Sequence, residues 1–398
     1  MNKLAIEGGK AVRDSFLPYG KQWVTEEEID GIAEVLRSDW ITTGPTLKKF
    51  EEAFAKFVGA KYAVAVSSGT AALHIAVSAT GIGKGDEVIT TPFTFAATSN
   101  VVLLRGGRPV FADIKSDTYN IDQREIKEKI TPKTKAIIPV HYAGQPCDMD
   151  EIRYIAQEND LTVIEDASHA VSAEYKGRRI GSISEMSTFS FHPVKNMTTG
   201  EGGMVTTNDN ELAELLQMYR NHGINKDANK RFGKHGSWYY EMQNLGLNYR
   251  LTDIQAALGL SQLKRLPELQ KRREEIVISY NEFFDMIPEI IPPFVKSDVK
   301  HSWHLYSVQV NPNKLNRDRN RIFEALRAEN IGVNVLYIPV HLHPFYKKMF
   351  GYKEGDYPAA EKVFKNIITL PLFPRMKDND VEDVCKAIEK VVQYYKIG

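Results

Sequence analysis

Short apolar runs alternate with amphipathic stretches through the first half of the chain. The runs are rich in β-branched residues and end at Gly, Pro, Asp or Thr. They predict buried strands over residues 62–66, 87–90, 109–112, 136–140, 161–164 and 204–206. The stretches between them predict helices over residues 70–79, 98–104, 149–158 and 210–219. This alternation is typical of an α/β fold, in which helices cover both faces of a mostly parallel sheet.

The pattern changes near residue 253. There a long helical stretch begins, DIQAALGLSQLKRLPELQKRREEIVISYNEFF, in which Pro267 predicts a kink or a break. Beyond it HSWHLYSVQV and VNVLYIPV predict strands, and residues 381–394 predict an amphipathic helix. We therefore expect a large domain over residues 1–255, which includes an N-terminal segment, and a smaller domain over residues 256–398.

Composition and charge restrict the kinds of partner. The chain has 398 residues, 42% hydrophobic and 26% charged, as ordinary soluble proteins do. Lys plus Arg and Asp plus Glu both number 51, so no net charge attracts nucleic acid or an anionic membrane. No run of about 18 apolar residues predicts a membrane span, and no signal peptide is recognisable, so a cytoplasmic location is expected. Cys147 and Cys385 lie far apart, which argues against a disulfide framework or a metal site.

Residues that follow the apolar runs are candidates for ligand binding, because ligands of open α/β sheets lie at the carboxyl ends of strands. Gly69 and Thr70 follow the first run and open a helix, where free N–H groups and the helix dipole suit a phosphate. An ordinary N-cap explains the same two residues. Asp166 follows a later run, where a buried carboxylate needs a cationic or proton-donating partner unless it caps a loop. For His169, which comes soon after, packing is the simpler explanation.

The segment SFHPVKNMTTGEGG, which begins at Ser190, places Lys195 between an aromatic–histidine run and a loop of threonines and glycines. A lysine that reacts as an amine must be partly desolvated or lie near another positive charge. One hypothesis uses all of these residues, namely a pyridoxal phosphate (PLP) site. The cofactor aldehyde would form a Schiff base with Lys195, its pyridine nitrogen would pair with Asp166, and its phosphate would bind Ser190 with Gly69 and Thr70.

Seven longer segments, spread over nearly the whole chain, carry a resemblance to a known family. They are DWITTGPTLKKFEEAFAKFVG, AVSSGTAALH, GDEVITTPFTFAATSN, PVHYAGQPCDMDEI, VIEDASHA, FSFHPVKNMTTGEGG and LGLNYRLTDIQAALGLSQL. These segments resemble the DegT/StrS family of fold-type I, PLP-dependent sugar aminotransferases. The resemblance implies a large domain with a mostly parallel, seven-stranded sheet flanked by helices, and a smaller C-terminal α/β domain.

The resemblance also implies a role for each candidate residue. Lys195 would bind the cofactor aldehyde and shuttle a proton at the substrate Cα, and Asp166 would pair with the ring nitrogen. His169 would lie near the ring hydroxyl. Phe95 in TPFTFAATSN would cover the ring face and exclude water. The residues implied for the phosphate are Ser190, Thr70 and Ala71.

Family members are homodimers with shared active sites, so the resemblance implies an obligate homodimer here. Asn248 in LNYRLTD matches the residue that reaches the phosphate of the neighbouring subunit, and Arg250 is a second candidate for that region. Without the resemblance, ordinary polarity at a strand edge explains both residues.

The reaction expected from the resemblance is amino transfer. A branch of the family that dehydrates sugars has histidine at the position of Lys195. The implied mechanism is ping-pong: L-glutamate gives up its amino group and leaves as 2-oxoglutarate, and the C4 keto group of a UDP-linked keto-sugar then accepts the amine. The resemblance is strongest to enzymes of UDP-4-amino-4-deoxy-L-arabinose, pseudaminic acid and spore-coat polysaccharide synthesis.

Two alternatives to this reaction remain open at the level of sequence. One is an aminotransferase for 3-keto sugars or aminocyclitols. The other is a non-catalytic, PLP-binding regulator, which the complete set of candidate residues and the lack of an added DNA-binding domain disfavour.

Aromatic residues and histidines cluster in GSWYYE, HSWHLY and IPVHLHPFY. They could line a sugar-nucleotide pocket, because rings stack on sugar faces and imidazoles bond hydroxyls, but core and lid packing explains them equally well. The candidate substrate-binding residues are Thr43, Trp238, His341, His343 and Tyr346.

Overall fold

A seven-stranded sheet forms the centre of the computed structural model, which describes residues 3–225 and 240–397. The strands in chain order are β1 (Tyr62–Val66), β2 (Glu87–Thr90), β3 (Arg108–Phe111), β4 (Thr134–Ile138), β5 (Thr162–Asp166), β6 (Glu174–Tyr175), β7 (Arg178–Arg179), β8 (Met186–Ser190), β9 (Gly203–Thr207), β10 (Ile224–Asn225), β11 (Glu241–Met242), β12 (Ile290–Ile291), β13 (Val299–Lys300), β14 (Tyr306–Val310) and β15 (Ile367–Leu370). The order across the central sheet is β1-β9-β8-β5-β4-β2-β3, and all its strands run in one direction except β9. The predicted α/β fold with a mostly parallel, seven-stranded sheet is confirmed.

Helices cover both faces of this sheet. The helices in chain order are α1 (Glu26–Arg37), α2 (Pro45–Val58), α3 (Gly69–Ala79), α4 (Ala97–Leu104), α5 (Gln123–Lys129), α6 (Met149–Glu158), α7 (Asn210–Arg220), α8 (Asp253–Phe284), α9 (Arg319–Ala328), α10 (Pro344–Phe350), α11 (Pro358–Asn366) and α12 (Asp378–Tyr395). Successive side chains of a strand point to opposite faces. In β1, Ala63 and Ala65 therefore pack with α2 and α6, while Val64 and Val66 pack with α3 and α7.

Strand β8 was not predicted from the sequence, although it lies in the middle of the sheet and is buried along its whole length. Three of its five residues, MSTFS, carry a hydroxyl group, so it lacks a purely apolar pattern. The hydroxyls of Ser187 and Thr188 donate to the side chain and the backbone carbonyl of Glu165 at 3.0 and 3.1 Å. Because these hydrogen bonds satisfy the polar groups, a polar strand can be buried here.

Helix α8 continues through Pro267, so of the predicted kink or break the break is wrong. Proline removes one backbone hydrogen bond, but buried side chains on both sides of it hold the helix in place. Leu263 and Leu266 pack in the core under the central sheet, whereas Ile276 and Tyr280 pack in a second core. The helix thus connects two cores, and the division of the chain at residue 255 stays a prediction. In the part of the chain that the structure describes, no helix is both long and apolar enough to cross a membrane.

The second core is built on a small sheet of order β12-β14-β15. Of HSWHLYSVQV only the second half forms a strand, β14, and the predicted strand in VNVLYIPV is wrong. The edge of β14 is already paired with β15. Residues 333–340 instead run along that sheet with a single bridge, in which Asn334 and Thr369 exchange two backbone hydrogen bonds.

Glu28 in α1 is fully buried and ties this helix to α8. Its carboxylate accepts hydrogen bonds from the backbone N–H of Thr25, from Gln262 and from Arg265 at 2.7–2.8 Å. Burial alone would raise the pKa of Glu28, but the hydrogen bonds from Thr25, Arg265 and Gln262 outweigh it and lower the pKa from 4.5 to about 2.

Replacing Glu28 by glutamine should therefore lower the free energy of unfolding at pH 7 by about 3 kcal/mol. A lowered folded-state pKa stabilises the protein fully above pH 4.5 and loses its effect as the pH falls toward 2. Urea unfolding of wild type and variant at pH 7 and at pH 4 measures both effects. Glu34→Gln, on the exposed side of the same helix, is the control and should change stability by less than about 0.5 kcal/mol. A difference for Glu28→Gln that does not shrink at low pH would contradict this explanation.

Candidate active site

A cleft of about 650 Å³ lies at the carboxyl ends of the parallel strands. Of the residues predicted to bind PLP, those that line it are Gly69, Thr70, Phe95, Asp166, His169, Ser190 and Lys195. They come from the ends of β1, β2, β5 and β8 and from the loops that follow. Because the carboxyl ends of parallel strands meet at one edge of a sheet, segments far apart in sequence converge there.

The first turn of α3 forms one end of the cleft. The Ser68 side chain caps the helix by accepting a hydrogen bond from the N–H of Ala71 at 3.0 Å, whereas the N–H groups of Gly69 and Thr70 have no partner within the helix. A Cβ atom on Gly69 would lie 2.7 Å from the Cβ of Ser190, so only glycine lets β8 approach the helix this closely. The free N–H groups, the Ser190 hydroxyl and the helix dipole together suit a phosphate.

Asp166 ends strand β5, and two hydrogen bonds fix its carboxylate. The Thr98 hydroxyl donates to Oδ2 at 2.8 Å, and the N–H of Ser168 donates to Oδ1 at 3.2 Å. The side chain is nearly buried but still lines the cleft. A carboxylate held in this way is positioned to accept a hydrogen bond from a protonated nitrogen of a ligand.

Lys195 lies in the loop that follows β8 and lines the same cleft. Burial lowers the pKa of its amine to about 8, although the negative charge of Asp166 acts in the opposite direction. Within residues 3–225 and 240–397 its Nζ atom forms neither a hydrogen bond nor an ion pair. With this pKa, about a tenth of Lys195 is a neutral amine at pH 7 and about half at pH 8, far more than for an ordinary lysine, and covalent chemistry on a carbonyl requires the neutral form.

Aromatic rings and imidazoles form the opposite wall of the cleft. His169 stacks on Tyr337 with ring centroids 5.9 Å apart, and the ring of His304 lies 4.3 Å from that of His169. Burial and the nearby charge of Lys195 lower the pKa of His169 well below its ordinary value, so this imidazole is neutral. Phe95 is 61% exposed and its ring lies 6.0 Å from Tyr337. An exposed aromatic face at a cleft is suited to cover a flat ligand ring.

These residues fit PLP. The helix start with Ser190 offers donors for a phosphate, Asp166 offers a fixed carboxylate for a ring nitrogen, and Lys195 offers an unpaired amine for an aldehyde. Ala71 does not line the cleft, and its N–H is engaged by Ser68.

The other predicted residues that lie within the described ranges do not line this cleft. Asn248 is exposed, and the Arg250 guanidinium donates to the Asn221 side chain at 2.5 Å. Thr43 is exposed, and His343 is half-buried at the start of α10. Trp238 lies outside the described residues.

Two of the predicted substrate-binding residues lie in the protein interior. His341 is fully buried and its Nε2 atom lies 3.0 Å from Glu361, while the Tyr346 hydroxyl donates to Asn100 at 2.7 Å. Tyr346 belongs to a buried aromatic cluster, and the His341 ring lies 4.7 Å from that of Tyr357 in the same cluster. Packing was the alternative explanation for both residues.

Sequence reasoning missed several residues of the cleft, namely Tyr19, Thr98, Glu201, His304 and Tyr337. Thr98 and Glu201 lie inside two of the segments that carried the resemblance, GDEVITTPFTFAATSN and FSFHPVKNMTTGEGG, and this was a usable signal. Tyr337 had no such signal, because its apolar surroundings predicted a strand.

Comparison with known proteins agrees with this geometry. The model of the DegT/DnrJ/EryC1/StrS aminotransferase family matches residues 22–389. The spore coat polysaccharide biosynthesis protein SpsC of Bacillus subtilis is 50% identical over 382 residues, which cover 96% of this chain and 98% of SpsC.

Solved structures are similar over almost the whole chain. PseC of Helicobacter pylori, an aminotransferase involved in the biosynthesis of pseudaminic acid, is 33% identical with a TM-score of 0.88, covering 96% of this chain and 100% of PseC. Spr1654 of Streptococcus pneumoniae, solved in its PLP form, is 34% identical with a TM-score of 0.89, covering 95% of this chain and 99% of Spr1654. The chain therefore belongs to the DegT/DnrJ/EryC1/StrS aminotransferase family and is a PLP-dependent sugar aminotransferase.

Proposed function

We propose that the protein moves the amino group of L-glutamate onto the C4 keto group of a UDP-linked keto-sugar. The observation that carries amino transfer is the unpaired Lys195 amine in the same cleft as the fixed carboxylate of Asp166. The similarity to SpsC and PseC, from spore coat polysaccharide and pseudaminic acid biosynthesis, supports a keto-sugar as the acceptor.

The main cofactor residues of the cleft then have the following roles. PLP, when bound, supplies an electron sink for the substrate carbon that carries the amino group. Lys195 holds the cofactor and moves the proton at that carbon, and Asp166 keeps a proton on the ring nitrogen. The start of α3 with Ser190 binds the phosphate, and Phe95 covers the ring and excludes water.

The charges of the proposed amino donor, L-glutamate, must be balanced by groups of the cleft. L-Glutamate carries two carboxylates, but among the described lining residues the only lysine or arginine is Lys195. Further cations must therefore come from elsewhere, and a homodimer with shared sites would supply them. We infer that Asn248 and Arg250, which do not line their own cleft, serve the cleft of the neighbouring subunit.

Exposed apolar side chains near these residues support the homodimer. Trp40, Ile41, Leu245 and Leu247 are between 44% and 76% exposed. Such side chains near a polar segment are typical of a subunit interface. Sedimentation of the enzyme at assay concentration tests the proposal, and an active monomer would contradict it.

A cytoplasmic location, and substrate contacts from Thr43, Trp238 and His343, stay part of the proposal.

The test of the function uses the visible absorbance of bound PLP. The band should disappear when L-glutamate is added, and it should return when a UDP-linked 4-keto-6-deoxy-N-acetylhexosamine is added to the enzyme freed of glutamate. NMR of the product then establishes whether C4 carries the amine. Return of the band only with 3-keto sugars or a keto-cyclitol would assign the acceptor differently. A band that no amino donor changes would favour the non-catalytic regulator.

A further inference from the structure

Tyr337 reaches the cleft from the side of the small sheet. Its segment is held at both ends, because Asn334 pairs with Thr369 of β15 and the N–H of Val340 donates to the carbonyl of Pro92 at 2.7 Å. The hydroxyl of Tyr142 also donates to the carbonyl of Leu336. The phenol is therefore placed in the cleft by a segment with little freedom to move.

The hydrogen bonds of His169 determine which of its nitrogen atoms carries the proton. The backbone N–H of Ala143 donates to Nδ1 at 3.3 Å, so Nδ1 is an acceptor without a proton. A neutral imidazole has one proton, and in His169 it must lie on Nε2. Nε2 lies 3.0 Å from the Tyr337 hydroxyl oxygen and therefore donates to it.

Because His169 donates and Tyr337 accepts in this hydrogen bond, the proton of the Tyr337 hydroxyl takes no part in it. Within the described ranges, 3–225 and 240–397, no acceptor for it is found. Burial raises the pKa of Tyr337, and the negative charge of Asp166 raises it further, so the phenol keeps this proton at neutral pH. The cleft thus contains a fixed O–H group that is free to donate to a ligand.

We propose that the Tyr337 hydroxyl donates a hydrogen bond to an uncharged oxygen atom, carbonyl or hydroxyl, of the sugar acceptor. An uncharged oxygen is favoured over a carboxylate because Asp166 is close enough to disfavour a second negative charge. The neighbouring imidazoles of His169 and His304 have pKa values lowered mainly by burial, so they add no positive charge to offset it. This assignment rests on the proposed function, because it presupposes a sugar acceptor.

Two acceptors that react with the same form of the enzyme provide the test. The amine-loaded enzyme is mixed with 2-oxoglutarate, a dicarboxylate, or with the UDP-linked 4-keto-6-deoxy-N-acetylhexosamine, and the return of the visible band is followed. Tyr337→Phe, which removes only the hydroxyl, should lower kcat/KM for the keto-sugar about tenfold and that for 2-oxoglutarate less than about twofold. Tyr119→Phe is the control, since it removes another buried phenol hydroxyl, bonded to Gln309, outside the cleft. It should change neither rate.

Other results would overturn the assignment. An equal loss of kcat/KM with both acceptors would mean that the hydroxyl donates to a group that both substrates contain. A shift of the visible absorbance maximum of Tyr337→Phe before any substrate is added would mean that the hydroxyl donates to the cofactor. Unchanged rates would mean that the hydroxyl binds neither substrate. If the wild-type enzyme reacts with 2-oxoglutarate but not with the keto-sugar, the proposed acceptor itself is wrong.

Discussion

Lys195→Ala should lower the rate of amino transfer from L-glutamate by roughly 10³-fold or more, the upper range for loss of a positioned proton-transfer group. Among the described residues Lys195 is the only lysine that lines the cleft, so no neighbouring amine can replace it. Its pKa of about 8 makes it partly neutral under ordinary assay conditions. The rate at which L-glutamate removes the visible band, measured by stopped flow, reports the loss directly.

A second readout does not depend on turnover. After reduction with borohydride, a tryptic peptide that contains residue 195 should carry the mass of the cofactor in the wild type and not in the variant. Lys84→Ala, an exposed lysine in a turn, is the matched control and should behave as the wild type does. A Lys195→Ala enzyme that keeps its rate within tenfold, or a cofactor mass on another lysine, would contradict the assignment.

Asp166→Asn should lower the same rate by roughly 10²- to 10³-fold. The amide has the size of the carboxylate and its oxygen can still accept from Thr98 or Ser168, but it lacks the negative charge that keeps a proton on the ring nitrogen. Single-turnover rates with L-glutamate at saturating cofactor separate this effect from weaker cofactor binding.

Thr98→Val provides the comparison for Asp166→Asn. It removes one hydrogen bond to the carboxylate but leaves the charge in place, so the expected loss is about tenfold. If Thr98→Val and Asp166→Asn cause equal losses, orientation rather than charge is the contribution of Asp166. If Asp166→Asn costs less than threefold, the carboxylate has no role at the ring nitrogen.

The sequence predicted those parts of the fold that local pattern specifies. Strands β1 and β2 have the predicted bounds, because β-branched runs between Gly, Asp and Thr define a buried strand on their own. Strand β8 was missed because its hydroxyls depend on Glu165 of the neighbouring strand, and no local pattern records such a partner. The strand predicted in VNVLYIPV failed for a related reason, since its backbone pairs with β15 only at Asn334 and otherwise bonds to distant residues, Tyr142 and Pro92.

The candidate site shows the same division. Asp166 was found in the sequence because it follows a predicted strand, where ligands of α/β sheets bind. Ser190 and Lys195 were found in the segment SFHPVKNMTTGEGG, whose lysine has surroundings that suit PLP chemistry. His341 and Tyr346 carry equally suitable chemistry, but the packing of α10 and α11 turns them into the interior. The type of a residue does not reveal which way its side chain points.

The amino-acid sequence by itself determined the α/β fold class, because the fold class depends on local composition and spacing. Its resemblance to a known family indicated the cofactor and most of the residues that would bind it. Only the tertiary structure decided which of those residues share a cleft and which atoms carry protons. The Tyr337 phenol lies 3.0 Å from His169 although 168 residues separate them in the chain. Such a distance is set by the packing of two cores against one long helix, and no local segment contains that information.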